Sequence, residues 1–61
     1  MTIAIAAQIA CVKREISFRE HVYPRRVEAG RMSTQDARRE TERMKAVLAT
    51  LEKVAAKERL L

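Results

Sequence analysis

The sequence contains few of the residues that interrupt helices or build binding sites. Its 61 residues include one glycine, one proline, one cysteine, no tryptophan, and only Phe18 and Tyr23 as aromatic residues. A single cysteine excludes a disulfide within the chain, and a single glycine cannot form a glycine-rich loop that cradles phosphates. Two aromatic side chains also make a poor platform for stacking single-stranded nucleic acid.

Residues that bind metals or perform catalysis are equally scarce. The strongest zinc-ligand candidates, Cys11 and His21, are ten residues apart on one predicted helix, about 15 Å along its axis, so they cannot share a metal ion within one chain. We interpret Cys11 as a small buried or half-buried apolar residue and His21 as a solvated one. No serine or threonine belongs to a recognisable catalytic arrangement. We therefore expect no enzymatic activity, no metal, no cofactor and no small-molecule substrate.

The residues that are abundant favour helix and give the chain a basic charge. Alanine, leucine, arginine, lysine, glutamate and glutamine together make up more than half of the chain, and all are good helix formers. The net charge is +5, which suits acidic partners. The apolar run from Ile3 to Val12 is much shorter than the roughly 20 residues that cross a membrane, and the basic residues follow it, unlike in a signal peptide. We expect a cytoplasmic protein that does not enter a membrane.

The stretch from His21 to Thr34 predicts a bend between two helices. Gly30 suits the left-handed conformation just after a helix end, and Ser33 suits the first cap of the next helix, with Asp36 able to reach back to it. We predict one domain with helix 1 at about 2–29, a turn at 30–33 and helix 2 at about 34–60. Pro24 interrupts helical hydrogen bonding. We predict a kink there; alternatively, helix 1 stops near Tyr23 and a short segment restarts at Pro24.

Both predicted helices carry a heptad pattern, with apolar residues at alternating steps of four and three. The pattern in helix 1 comprises Ile5, Ile9, Val12, Ile16, Arg19 and Tyr23; that in helix 2 comprises Ala37, Glu40, Met44, Val47, Leu51, Val54, Glu58 and Leu61. Folding about the turn brings together positions whose numbers sum to about 63, so Ile16 faces Val47. Arg19 and Glu40 then either extend to the edge of this seam or form a partly buried pair that sets the register or marks a partner site.

A second apolar set beside the seam widens the apolar face of the hairpin. It comprises Ile3, Ala6, Ala10, Phe18, Val22, Leu48, Ala55 and Leu60. We predict an all-α fold, an antiparallel two-helix hairpin kinked at Pro24 that forms a homodimeric four-helix bundle. The candidate core and dimer residues are Ile5, Ile9, Val12, Ile16, Phe18, Val22, Met44, Val47, Leu48, Leu51 and Val54. The alternative is that this face docks on a different protein.

Basic residues concentrate around the bend and make DNA a second candidate partner. They are Arg25, Arg26, Arg31, Arg38, Arg39 and Arg43, and a dimer would present twice as many to phosphates. Acidic residues lie among them, and we expect Glu42 to form local ion pairs with Arg43 and Lys45. This mixture favours a solvated surface over a nucleic-acid interface.

The stretch from Glu15 to Leu51 resembles a group of small open reading frames in phages and prophages of proteobacteria. The shared features are Arg19, the Val22–Tyr23–Pro24 triplet, Val27, Gly30, Met32, Ala37, Glu40, Met44 and the Ala49–Thr50–Leu51 run. The group has no assigned chemistry, so the resemblance implies no site residues. It implies a small phage protein made in the bacterial cytoplasm, where such proteins commonly modulate host machinery by direct binding.

Taken together, these patterns favour a non-enzymatic phage protein that binds and modulates a host or phage protein. The candidate partner-binding residues lie at the bend and are Arg19, Tyr23, Pro24, Arg25, Arg26, Arg31 and Met32. The alternative is a small basic DNA-binding accessory protein that uses the same arginines. A third possibility is a purely structural oligomer.

Overall fold

A computed structural model describes residues 2–60 as two α-helices that pack against each other. Helix α1 spans Ile5–Glu28 and helix α2 spans Thr34–Leu60, and residues 29–33 connect them. No strand occurs among the described residues, so the all-α prediction is confirmed for this part of the chain. Helix α1 begins later than the predicted start near residue 2, and its N-cap residue, Ala4, makes no side-chain capping hydrogen bond. Leu61, a predicted seam residue, lies outside the described range.

The end of α1 is a Schellman motif built on Gly30. Its φ angle is 74°, a left-handed conformation that glycine adopts without steric cost. The Gly30 amide donates to the carbonyl of Val27 at 3.0 Å, and the Arg31 amide donates to the carbonyl of Arg26 at 2.8 Å. These two bonds satisfy carbonyls that the helix end would otherwise leave free. The chain therefore leaves α1 in a defined direction.

The start of α2 is capped by Ser33. The Asp36 amide donates to the Ser33 hydroxyl at 3.0 Å, a bond typically worth about 1 kcal/mol of stability. The Asp36 carboxylate does not reach back to complete a capping box, because it accepts a hydrogen bond from Arg39 on the next turn. It still lies in the first turn, where a negative charge interacts favourably with the helix dipole.

Pro24 lies inside α1, which continues to Glu28. The alternative in which the first helix stops near Tyr23 is therefore wrong. Proline has no amide proton to donate to the carbonyl of Glu20. The Schellman motif, whose amides belong to Gly30 and Arg31, ends the helix six and seven residues after Pro24.

The seam between the helices follows the predicted heptad pattern in α1 but only in part in α2, where the predicted residues Ala37, Glu40, Met44 and Leu51 are half-buried. Ile16 is the only buried side chain among the described residues, at 8% exposure. The other seam residues of α1 are half-buried: Ile5, Ile9, Val12, Arg19 and Tyr23. In α2 the half-buried residues at heptad spacing are Ala37, Thr41, Met44, Leu48, Leu51 and Ala55.

The predicted positions of Val47 and Val54 in the hairpin seam are wrong. Val47 is 45% exposed and Val54 is 40% exposed, whereas their neighbours Leu48 and Ala55 are half-buried. Glu58 is also exposed. Both members of each pair are apolar, and Ala37, Met44 and Leu51 belong to the seam in either case, so a rotation of α2 by about 50°, half the angle between successive residues, preserves a heptad pattern. Packing on α1 selects the phase that buries Leu48.

Candidate functional site

An open groove lies between the two helices on the half of the hairpin nearest the turn. Its volume is about 630 Å³. Its less polar lining comes from Tyr23, Pro24 and Val27 of α1 and from Ala37 and Thr41 of α2. The other lining residues are Thr34 and the charged residues Arg19, Glu20, Glu28, Arg38, Glu42 and Lys45. We call this the bend groove. It combines an apolar floor with charges of both signs at its edges.

Arg19 connects the two helices at the end of the bend groove that is farther from the turn. Its side chain is 17% exposed and donates from Nε to the Glu15 carboxylate at 2.9 Å. Its Nη1 donates to the main-chain carbonyl of Glu40 in α2 at 2.8 Å. The hydrogen bond that Arg19 donates to the Glu15 carboxylate raises the pKa of Arg19 above its ordinary value, outweighing the effect of burial. Arg19 therefore stays charged and holds α1 to α2 at a single position.

The Arg19–Glu40 contact differs from the partly buried ion pair that was one of two sequence interpretations. Arg19 bonds the carbonyl oxygen of Glu40, while the Glu40 carboxylate accepts from Arg43 at 2.9 Å on the same helix. The guanidinium group of an arginine at the seam has several N–H donors, and each needs a hydrogen-bond acceptor. A carbonyl that faces the seam from α2 can accept one of them without burying a second charge.

Tyr23 is half-buried and is flanked by two arginines. The guanidinium carbons of Arg19 and Arg26 each lie 5.7 Å from the centre of its ring. This distance is within the range of a cation–π interaction. The two cation–π contacts therefore restrain the tyrosine ring at the groove.

Ion pairs divide the arginines of the bend into two groups. Arg39 pairs with Asp36, and Arg43 pairs with Glu40. Lys45 lies 3.6 Å from Glu20 across the two helices. In the described part of the chain Glu42 forms no ion pair with Arg43 or Lys45, so this prediction is wrong. Within residues 2–60, four arginines at the bend form no ion pair with a carboxylate; they are Arg25, Arg26, Arg31 and Arg38.

The structure brings only part of the predicted partner surface together. Arg19, Tyr23 and Pro24 line the bend groove. Arg25, Arg26 and Arg31 are exposed beside it and Met32 is half-buried in the connection, but none of these four lines the groove. The α2 wall of the groove, with Ala37, Thr41 and Lys45, was missed. The predicted register was the signal that could have found it, since it places α2 residues of this region opposite Tyr23 and Val27.

Cys11 and His21 are both exposed. The prediction that Cys11 is buried or half-buried is wrong, because it lies one residue before the seam residue Val12 and so points to the side of the helix pair. Among residues 2–60, no three His, Cys, Asp or Glu side chains cluster as they would around a metal ion.

Neither α1 nor α2, within the described range, has an apolar stretch of the length and hydropathy needed to cross a membrane. Comparison of the chain with protein-family models, with curated proteins and with solved structures found no match.

Proposed function

We propose that this chain is a non-enzymatic binding protein of phage type that works in the bacterial cytoplasm. Its bend groove binds a host or phage protein and thereby modulates that protein. The observation that carries this proposal is the bend groove itself, an open cleft with an apolar floor between two helices. The phage setting rests on the resemblance of the stretch from Glu15 to Leu51 to small phage open reading frames.

The dimensions and chemistry of the groove suit a helical segment of a partner. Its volume of about 630 Å³ lies in the range of sites that accept several side chains. An amphipathic helix docks in such a groove through apolar residues at intervals of three and four. Tyrosine is enriched among the residues that dominate binding energy. Tyr23, which Arg19 and Arg26 flank, would be the central contact.

Two further features belong to the same proposal. Helix α1 bends at Pro24, because the missing amide proton removes one helical hydrogen bond there, and a bend at this position would shape the groove beside Tyr23. The hairpin works as a homodimer, because a single buried side chain, Ile16, gives two helices little core of their own.

We expect substitutions inside the bend groove to abolish partner capture. Immobilised protein would be incubated with host-cell lysate, and bound proteins quantified by mass spectrometry. Tyr23→Ala removes the central contact and Thr41→Arg obstructs the groove from α2. Each substitution should reduce the amount of the specific partner that is captured by about tenfold or more, since a tyrosine hot spot contributes about 2 kcal/mol or more to binding.

The controls place comparable changes outside the groove. His21→Ala alters an exposed residue on α1, and Ala49→Arg adds the same side chain as Thr41→Arg at an exposed position of α2. Both should retain the partner, with helicity unchanged by circular dichroism in all four variants. A partner that both groove variants still capture would show that the groove is not its binding site.

DNA binding is a second candidate, favoured by the four arginines at the bend that form no ion pair. Neighbouring carboxylates do not neutralise these guanidinium groups, so the groups are available to contact phosphates. A shallow depression of about 510 Å³ on α2 is lined partly by Arg38, one of the four, and by Arg39 and Arg43. In a dimer the number of free arginines would double.

Fluorescence anisotropy with a labelled duplex tests this candidate. If the arginines contact phosphates, binding will persist at physiological salt and weaken steeply as salt rises, with a slope of about 0.9 per phosphate contacted. Arg25→Glu and Arg38→Glu should then abolish it, whereas Arg59→Glu, at the other end of the hairpin, should weaken it far less. No binding at physiological salt would eliminate the DNA candidate.

A further inference from the structure

The side of α1 that faces away from α2 carries a row of exposed residues. Each lies two residues after a seam residue of α1, which rotates its side chain by about 200° around the helix. Phe18, for example, follows the buried Ile16 in this way and is 51% exposed. We call this row the outer stripe; its members are Ala7, Cys11, Arg14, Phe18, His21 and Arg25.

The acidic residues of α1 do not offset the charge of the outer stripe. From Ile5 to Val27 the helix has two acidic residues, Glu15 and Glu20. Glu15 pairs with Arg19, and Glu20 pairs with Lys45 of α2. Four basic residues of the same segment form no ion pair within residues 2–60; they are Lys13, Arg14, Arg25 and Arg26. The unpaired charge of this segment is therefore entirely positive.

Helix α2 has a different distribution of charge. It contains five acidic residues, and three of them, Glu42, Glu52 and Glu58, form no ion pair in the part of the chain that the structure describes. The basic residues of α2 thus lie among free carboxylates, as on an ordinary solvated helix surface. The excess of unpaired positive charge is concentrated on α1.

Apolar side chains lie among the cations of α1. Phe18 is near the centre of the outer stripe, with Arg14 about one turn before it and Arg25 about two turns after it. Ala7 and Cys11 extend the exposed apolar surface toward the start of the helix. Ile3, just before α1, is also largely exposed. The outer side of α1 therefore offers apolar groups and unpaired cations together.

Among anionic surfaces, a phospholipid membrane matches this combination. Its headgroups offer phosphates to arginine and lysine, and the acyl chains beneath them accommodate apolar side chains. The backbone of duplex DNA offers phosphates but no apolar surface for Phe18. An amphipathic helix of a protein docks in a groove, whereas the outer stripe is the convex surface of one helix.

We propose that the outer stripe of α1 binds the surface of membranes rich in anionic phospholipids. Helix α1 lies parallel to the bilayer, with Phe18 between the headgroups and with Arg14 and Arg25 in contact with phosphates. A helix in this position does not span the bilayer. Membrane contact is separate from partner binding, because no residue of the outer stripe lines the bend groove.

Co-sedimentation with lipid vesicles tests the contact. Vesicles of phosphatidylglycerol and phosphatidylethanolamine should bind the chain at physiological salt, whereas vesicles of phosphatidylcholine alone should not. Binding should weaken as salt rises, because ions screen the attraction between exposed charges. No binding to the anionic vesicles, or equal binding to both kinds of vesicle, would overturn the proposal.

Charge reversal in the outer stripe should weaken vesicle binding. Arg14→Glu should raise the dissociation constant for the anionic vesicles by about tenfold, because it replaces an attracted charge with a repelled one. Lys53→Glu is the matched control, since it changes the net charge equally at an exposed position of α2. It should raise the constant by less than about threefold, because Lys53 is farther from the membrane. Equal losses would show that total charge, and not the outer stripe, drives binding.

Removal of the aromatic ring separates a membrane from a surface of phosphates alone. Phe18→Ala should raise the dissociation constant by about fivefold, because less apolar surface leaves water on binding. Val54→Ala removes an exposed apolar side chain from α2 and should change the constant by less than about twofold. Helicity by circular dichroism should be unchanged in all four variants. Unchanged binding of Phe18→Ala would mean that the stripe contacts phosphates alone, and would overturn the membrane assignment.

The native Cys11 reports which side of the chain meets the membrane. It is exposed in the outer stripe. A polarity-sensitive fluorophore on Cys11 should shift its emission to the blue with anionic vesicles and become protected from iodide quenching. The same fluorophore on Ala46→Cys, with Cys11→Ser, should keep its emission, because Ala46 is exposed on α2. A shift at position 46 and none at Cys11 would overturn the orientation. Loss of partner capture by the bend groove would change none of these results.

Discussion

Replacing Ile16 with alanine is expected to lower the free energy of unfolding by about 2 to 3 kcal/mol. Ile16 is the only side chain among the described residues with less than a tenth of its surface exposed, so it is the centre of the contact between α1 and α2. The loss combines the transfer free energy of the removed methylene and methyl groups with the cavity that they leave. In a chain this short, the midpoint of thermal unfolding should fall by about 8 to 20 °C.

Urea unfolding followed by circular dichroism measures this loss, at one fixed protein concentration for every variant because a dimer unfolds in a concentration-dependent way. Ile3→Ala is the matched control. Ile3 precedes α1 and is 52% exposed, so the same change there should cost less than about 0.5 kcal/mol. Equal losses at both positions would show that Ile16 has no special place in the packing.

Replacing Arg19 with methionine is expected to lower the free energy of unfolding by about 1.5 to 2 kcal/mol. Methionine keeps much of the apolar stem but loses the bond from Nη1 to the carbonyl of Glu40 and the cation–π contact with Tyr23. A hydrogen bond from a charged donor contributes about 1.5 to 3 kcal/mol. We expect Arg19→Lys to recover little, because an ammonium group cannot reach Glu15 and Glu40 together as a planar guanidinium does.

Arg43→Met serves as the control for the loss of an arginine from an ion pair. Its side chain is 68% exposed and pairs with Glu40 within one helix, an interaction typically worth about 0.3 to 0.5 kcal/mol. The losses in free energy of unfolding for Arg19→Met and Arg43→Met, measured by urea unfolding, should differ by about 1 kcal/mol or more. If they lose the same amount, the contact of Arg19 with α2 does not contribute beyond an ordinary surface ion pair.

Local signals in the sequence located the turn well. Gly30 has the left-handed conformation that its position predicts, and Ser33 caps α2 through the Asp36 amide. Both effects involve residues within a few positions of each other, so the chemistry of the turn does not depend on the rest of the fold. The same reasoning failed for the Asp36 carboxylate, because Arg39, three residues later, binds it.

The two walls of the bend groove differed in how far they could be predicted. Arg19 was identified because it is a charged residue at a seam position, and Tyr23 and Pro24 because they are unusual residues near the turn. Ala37, Thr41 and Lys45 were not, because small and charged residues on a helix have no individual signal. The ion pairs were equally hard to predict, since Lys45 has acidic neighbours on its own helix but lies near Glu20 of the other.

By itself the sequence determined the helical class of this protein through residue propensity and the position of its bend through capping residues. It also determined the side of α1 that faces α2, because α1 carries one unambiguous heptad pattern. Only the tertiary structure decided the rotation of α2. The neighbouring pairs Val47–Leu48 and Val54–Ala55 allow two phases, and contact with α1 buries one member of each. That choice places Val47 and Val54 on an exposed face, because a rotation of about 50° exchanges these neighbours at the seam while Ala37, Met44 and Leu51 face α1 in both phases.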